Sequence, residues 1–411
     1  MRFRLAFLCL SIVFLARSAR ANDLVLFGAK IYLSPTESPI ENGSILIHDG
    51  RILSVGPAAA IKIPPNATVI DCKGLVVTAG FWNSHVHILT PGLLHAEKLS
   101  SEQLSSQLEE MLTRWGFTTV FDIASVLENT NLIRRRIASG EAKGPRILTT
   151  GEPLWGKGGT PIYVKAFLEA NHINIPEVLS SGQAVERVRL QLRDGADGVK
   201  LFAGSVQQNS ILIMPLDLAK AAVAEAHRAG KPVFAHPGNQ HGIELCLESG
   251  VDILAHTTPE GGPWDASLLA RLKAANVALI PTLTLWHVES RSMPLADLEK
   301  GMKETALPQL RSYTELGGQV LFGTDVGYID QFDTSEEFTW MSRAGLTFQQ
   351  ILASLTTSPA ARFGDSARRG RVASGMDADL VVLLADPALD ATAFAKVRYT
   401  IRAGKIIYQS K

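Results

Sequence analysis

The chain has 411 residues, 46% of them hydrophobic and 19% charged, with 40 basic and 40 acidic side chains. That balance is globular and excludes a disordered or fibrous chain. Zero net charge, with no run of basic residues, gives no support for nucleic acid or a membrane surface as a partner.

The chain opens on Arg2 and Arg4, then a nearly unbroken apolar run over 5–15, then Ala19-Arg20-Ala21. A positive start, a short apolar stretch and a small-x-small site predict a signal peptide over 1–21, cut after Ala21, and a secreted or periplasmic protein. The run is shorter than the roughly 20 residues a bilayer span needs, so no stable membrane span is expected after cleavage. The mature chain would carry 36 basic and 40 acidic side chains. Apart from Cys9 in the signal, only Cys72 and Cys246 remain. Two cysteines are too few for a stapled scaffold, and two buried thiols are expected.

Residues 22–76 read as the first part of a β domain. Apolar runs lie at 24–27, 44–48, 52–55 and 67–71, and Asp49-Gly50 between the second and third marks a hairpin. From 77 to 368 the pattern alternates. Strand candidates fall at 77–88, 118–124, 145–151, 198–203, 232–237, 252–257, 277–285 and 320–326. Helical spacing marks 99–115, 183–194, 216–229, 242–249, 266–275 and 296–316. Residues 155–182, with Gly156, Gly158, Gly159, Pro161 and Pro176, read as an irregular insertion over the barrel mouth. Residues 369–411 return to strands, at 378–383 and in a hairpin of 399–402 with 405–408. Eight strands alternating with helices predict a (β/α)8 TIM-like barrel, carrying a small β-sandwich domain formed by both termini. An open doubly wound sheet is the alternative, and no Gly-x-Gly-x-x-Gly supports dinucleotide binding.

Ligand-type residues collect at strand ends. His85 and His87 close the first barrel strand, and their i, i+2 spacing puts both imidazoles on one side. Lys200 lies on the fourth strand. His236, His256 and Asp325 end the fifth, sixth and eighth. The C-terminal ends of barrel strands are where catalytic groups gather. Burying that many ionisable groups is costly without a cation to bind them.

With these residues in place the sequence resembles the amidohydrolase superfamily of metal-dependent hydrolases, in its prolidase-like and imidazolonepropionase-like branch. The resemblance rests on Gly80-Phe81-Trp82-Asn83-Ser84-His85-Val86-His87, on Gly74 to Gly80, and on Gly375-Met376-Asp377-Ala378-Asp379-Leu380-Val381. It covers nearly all of the mature chain. It implies two divalent metal ions, zinc by expectation, one held by His85, His87, Lys200 and Asp325 and the other by Lys200, His236 and His256. Lys200 would be carboxylated, since a protonated amine binds no cation and a carbamate does. Asp325 would be the general base toward a metal-activated water.

The expected reaction is hydrolysis of an amide or dipeptide-like carbon–nitrogen bond in a small molecule. Tyr163, His172 and His287 are candidate substrate contacts. Trp155, Trp264 and Trp286 either line an apolar pocket or simply pack. Two departures matter: Asn83 stands where the family often has Asp, and Pro237-Gly238-Asn239 follows His236 where deaminases carry a glutamate. A mononuclear deaminase or cyclic-amide hydrolase, and an inactive scaffold, are the competing readings. Homo-oligomerisation stays open.

Overall fold

The computed structural model describes residues 23–291 and 295–411, so the expected signal peptide lies outside the described residues. The first five strands are β1 (Leu24–Ile31), β2 (Ile40–His48), β3 (Arg51–Pro57), β4 (Thr68–Asp71) and β5 (Val76–Ala79). The last three are β15 (Leu380–Leu383), β16 (Val397–Arg402) and β17 (Lys405–Gln409). Together they form one eight-stranded sheet in the order β17-β16-β15-β5-β1-β2-β3, with β4 beside β1.

The two ends of the chain meet where β15 pairs antiparallel with β5, Leu380 opposite Ala79 and Leu383 opposite Val76. All eight residues of that pair are buried. A buried aliphatic side chain contributes roughly 1.5–3 kcal/mol, and backbone bonds such as Ile52 N–H to Met376 O and Ala378 N–H to Gly50 O add to this seam in joining the two ends. Two buried carboxylates of the 375–381 segment are satisfied at its edge: Arg369 reaches Asp377 at 2.6 Å and Asp379 at 3.0 Å.

Between the halves lies the barrel. Its strands are β6 (Phe81–Val86), β7 (Phe117–Ile123), β8 (Arg146–Gly151), β9 (Val199–Phe202), β12 (Val233–His236), β13 (Ile253–Ala255) and β14 (Ala278–Ile280), with a short hairpin of β10 (Gly204–Val206) and β11 (Ile211–Ile213) inserted after β9. All barrel pairings are parallel. The Leu154–Leu201 bridge joins β8 to β9. Residues 320–326 supply the eighth stave through the Leu279–Val320 and Val86–Val326 bridges, closing the ring. The barrel interior is plugged by Trp82, Phe121 and Phe234, which pack on Phe363. The ligand-type residues are thereby confined to the other end.

Four expectations needed correction. The 77–88 candidate is two strands: Val76–Ala79 belongs to the terminal sheet and Phe81–Val86 to the barrel. Gly80 is the joint, and a Cβ there would lie 2.3 Å from Thr118 Oγ1. The 277–285 strand stops at Ile280, because Pro281 ends the ladder and helix Leu283–Glu289 follows. The 296–316 helix breaks at Thr305 into Leu295–Glu304 and Ala306–Glu315, with Pro308 in the first turn of the second. Finally, the insertion contains helix Ile162–Ala170, entered through Pro161, none of whose residues is buried. Cys72 and Cys246 are both buried and unbridged, as expected.

Candidate metal centre

The centre is built on strand ends that the backbone must strain to make. Ala124, His256 and Thr282, which follow β7, β13 and β14, and Asp325, near the end of the eighth stave, all have positive φ, at 104°, 105°, 44° and 62°. Such conformations cost non-glycine residues of order 1–3 kcal/mol each and gather at functional sites. Gly323 and Gly327 let the eighth stave come this close to β6. A Cβ on Gly323 would lie 2.8 Å from His85 Cβ, and one on Gly327 would lie 1.7 Å from the His87 carbonyl oxygen.

His85 Nε2 and His87 Nε2 stand 3.0 and 2.8 Å from Asp325 Oδ1 and 3.2 Å from each other. Yet Oδ1 is buried and has no hydrogen-bond donor among the described residues. Atoms bound about 2.0–2.2 Å from a common zinc-like ion stand roughly 3.0–3.5 Å apart. The group His85, His87 and Asp325 therefore fits one metal ion. The outer ring nitrogen of His87 is set for the same purpose: Nδ1 donates to the Ala124 carbonyl at 3.2 Å, leaving the Nε2 lone pair inward.

His256 Nε2 is 3.8 Å from the other oxygen of Asp325. Its ring centroid lies 4.7 Å from that of His85 and 4.8 Å from that of His236. His236 in turn stacks on Phe202. Lys200 is 1% exposed, has no ion-pair partner among the described residues, and points its Nζ over the Phe202 ring. Of the six residues expected as one constellation, the geometry groups His85, His87 and Asp325 as one ligand set, with His256 beside them and His236 next to it.

Electrostatics prepares these groups as neutral donors around one anion. Burial pushes His85 and His236 down to about 3, with the Asp325 charge too weak to restore His85 and the Lys200 charge depressing His236 further. Burial drives His256 in the same direction. For Asp325, burial works upward, but the surrounding histidines outweigh it and hold the carboxyl well below its ordinary range. Burial also lowers Lys200 to about 8, against the pull of Asp325.

Three residues support the ligands; Asn83 stood out in the sequence as a departure from the family pattern, whereas Asp122 and Thr282 had no signature there. Asn83 donates from Nδ2 to Thr324 Oγ1 at 2.8 Å and accepts the His85 N–H at 3.1 Å, tying both ligand-bearing strands. Asp122 is a buried carboxylate just below His87. It accepts from the Ile88 N–H, Thr130 and Thr149 at 3.1, 2.8 and 3.0 Å, and from Ser125. Thr282 accepts from His256 Nδ1 at 2.7 Å.

The candidate substrate contacts separate. Tyr163, on the insertion helix, packs on Tyr328 with ring centroids 5.3 Å apart. Desolvation by its neighbours raises its phenol, and the Asp325 charge adds to that. His287 pairs with Glu336 and is partly exposed. His172 sits exposed in the turn after the insertion helix, with no side-chain partner among the described residues. Trp155 is buried against Phe202 and Trp264 bonds Thr258, whereas Trp286 lies 6.0 Å from His256.

The model of the amidohydrolase family matches residues 76–407. The chain belongs to that family. Among its relatives is the imidazolonepropionase of Thermoplasma acidophilum, 24% identical over 389 residues and covering 90% of both chains. The adenine deaminase of Rubrobacter xylanophilus is 25% identical over 374 residues, or 89% of this chain and 54% of that protein, so the chain spans about half of that relative. A solved structure from Bifidobacterium longum, described as a candidate prolidase, superposes with a TM-score of 0.76 at 25% identity, covering 94% of this chain and 95% of its own. This amidohydrolase is a hydrolase acting on carbon–nitrogen bonds.

Proposed function

We propose that this amidohydrolase cleaves the amide bond of dipeptides or N-acyl amino acids at a pair of divalent metal ions. The observation that carries the reading is Asp325 Oδ1, a buried anion with two imidazole nitrogens within 3.0 Å and no hydrogen-bond donor among the described residues. His85, His87 and Asp325 would hold one ion, His236 and His256 the other, and Lys200 would bridge them. When bound, the ions supply a water of lowered pKa and polarise the substrate carbonyl.

The chain's own residues do the rest. Burial leaves part of the Lys200 population as free amine near neutral pH. Its Nζ lone pair would attack carbon dioxide, forming an N–C bond and releasing a proton to water, which yields the anionic carbamate. Asp325, ionised at rest, would take a proton from the attacking water, become neutral, and return to the anion by passing that proton to the leaving amine. Tyr163 would close over the substrate from the insertion helix. The protein would be exported through the signal over 1–21.

Deamination is disfavoured by the loop after His236. Asn239 there caps helix Gln240–Ser249, its Oδ1 accepting the Gly242 N–H at 3.1 Å, and no carboxylate occupies residues 237–239. Hydrolysis of a cyclic amide at a single metal is the second reading. It is favoured by the match to an imidazolonepropionase over 90% of both chains.

The test is a panel of dipeptides, N-acyl amino acids, lactones and cyclic amides assayed with zinc and bicarbonate, with a chelator-treated control. Turnover of linear amides that chelator abolishes supports the proposal. Turnover of cyclic amides alone favours the second reading. No turnover at all in metal-loaded protein points to an inactive scaffold.

A further inference from the structure

A completely buried carboxylate, with no basic partner among the described residues, lies outside the centre. Glu337, on helix Ser335–Arg343, is fully buried, and neither an arginine nor a lysine pairs with it among the described residues. Its two oxygens accept the backbone N–H groups of Leu283 at 2.9 Å and Thr284 at 2.7 Å. These are the first two residues of helix Leu283–Glu289. Their N–H groups have no partner within that helix, so the carboxylate satisfies them.

The residue those two amides anchor is Thr282. It holds a left-handed backbone at φ 44°, ψ 54°, which a β-branched side chain avoids. Its hydroxyl donates to the Pro281 carbonyl at 2.9 Å, so toward His256 it must act as acceptor. His256 Nδ1 therefore carries the proton, and Nε2 presents its lone pair toward Asp325. The link runs from Glu337 through two amides to a strained threonine, and from its hydroxyl to an imidazole of the centre. Burying a carboxylate without a cation is expensive, and here the two backbone N–H groups offset part of that cost.

We propose that Glu337 is a positioning residue for His256: by clamping the amides of Leu283 and Thr284 it holds Thr282 in the conformation that fixes the tautomer and direction of the His256 ring. This rests on the reading of His256 as a metal ligand. Replacing Glu337 by Gln exchanges one acceptor for a donor, so one of the two amides loses its partner. Thr282 then relaxes, and His256 loses its fixed direction.

The experiment measures zinc affinity of the metal-stripped full chain by chelator competition. The variants are Glu337→Gln, Thr282→Val, their double variant, Thr282→Ser and His256→Ala, with thermal melts alongside. Glu337→Gln is expected to melt cooperatively and to lose 10- to 100-fold in affinity for one zinc, the one His256 would hold, the range for groups that orient a ligand. Thr282→Val should lose as much, and the double variant no more than either alone. Thr282→Ser, which keeps the hydroxyl, should bind near wild type. If Glu337→Gln does not fold, Glu337→Asp, too short to reach both amides, should show the same loss. Wild-type affinity in the folded glutamate variant, or losses that add in the double variant, would overturn the inference. His256→Ala separates the two claims: wild-type binding there defeats the ligand reading itself.

Discussion

Asn83 is the departure from the family pattern that the structure turns into a quantity. It is fully buried, and its amide spans the two strands that carry His85, His87 and Asp325. Asn83→Ala removes two hydrogen bonds and leaves the His85 N–H without the acceptor it has here. Thr324 Oγ1 keeps only the weaker 3.3 Å contact from the Val326 N–H. A buried unsatisfied N–H costs about 1–3 kcal/mol, and the vacated amide adds a small cavity. The expected destabilisation is about 3 kcal/mol, read as a fall in the urea midpoint at unchanged slope. Backbone bonds such as Ser84 N–H to Phe322 O and His87 N–H to Val326 O keep the strands in register, but the side-chain tie that steadies His85 and Asp325 is lost, so zinc affinity should fall about 10- to 100-fold, measured by chelator competition. Asn83→Asp should retain more stability than Asn83→Ala, because it still accepts the His85 N–H and Thr324 is free to donate. A loss below about 1 kcal/mol with wild-type zinc affinity in Asn83→Ala would refute the reasoning.

Other outcomes follow from the same geometry. Gly327→Ala, whose methyl would sit 1.7 Å from the His87 carbonyl at a φ of 100°, should cost about 3 kcal/mol or more in denaturant titration and abolish turnover. In metal-free protein the unfolded chain protonates His85 and His236 near 6.5 while the folded chain resists until about 3. Stability is then fully present above 6.5 and lost as pH falls toward 3, by about 1 kcal/mol per pH unit per histidine. Denaturation midpoints across that window should flatten in His236→Asn. Tyr163→Ala should raise KM for an active amide substrate several-fold with a smaller change in kcat. Steady-state kinetics showing the reverse split would remove Tyr163 from substrate binding.

Much of this arrangement was legible because its chemistry is local. His85 and His87 announce themselves by their spacing, and His236, His256 and Asp325 by standing at the ends of apolar runs. The barrel followed from alternation, and the seam between the termini from two strand-rich ends. What was hidden depends on contacts distant in sequence. Asn83 meets Thr324, and Asp122 meets Ile88, Thr130 and Thr149, with nothing in either neighbourhood to suggest it. The boundary at Gly80 was invisible because two apolar strands abut without a polar break. Thr282 had no signal at all, since a left-handed threonine is a demand of the tertiary structure rather than a preference of the residue.

The central claim is that Lys200 joins two metal ions into one hydrolytic centre. Metal content per chain, measured after loading with zinc and bicarbonate in wild type and in Lys200→Ala, tests it most directly. The account predicts two equivalents in wild type, and at most one in the variant together with loss of turnover. One equivalent in wild type, unchanged in Lys200→Ala, would contradict it.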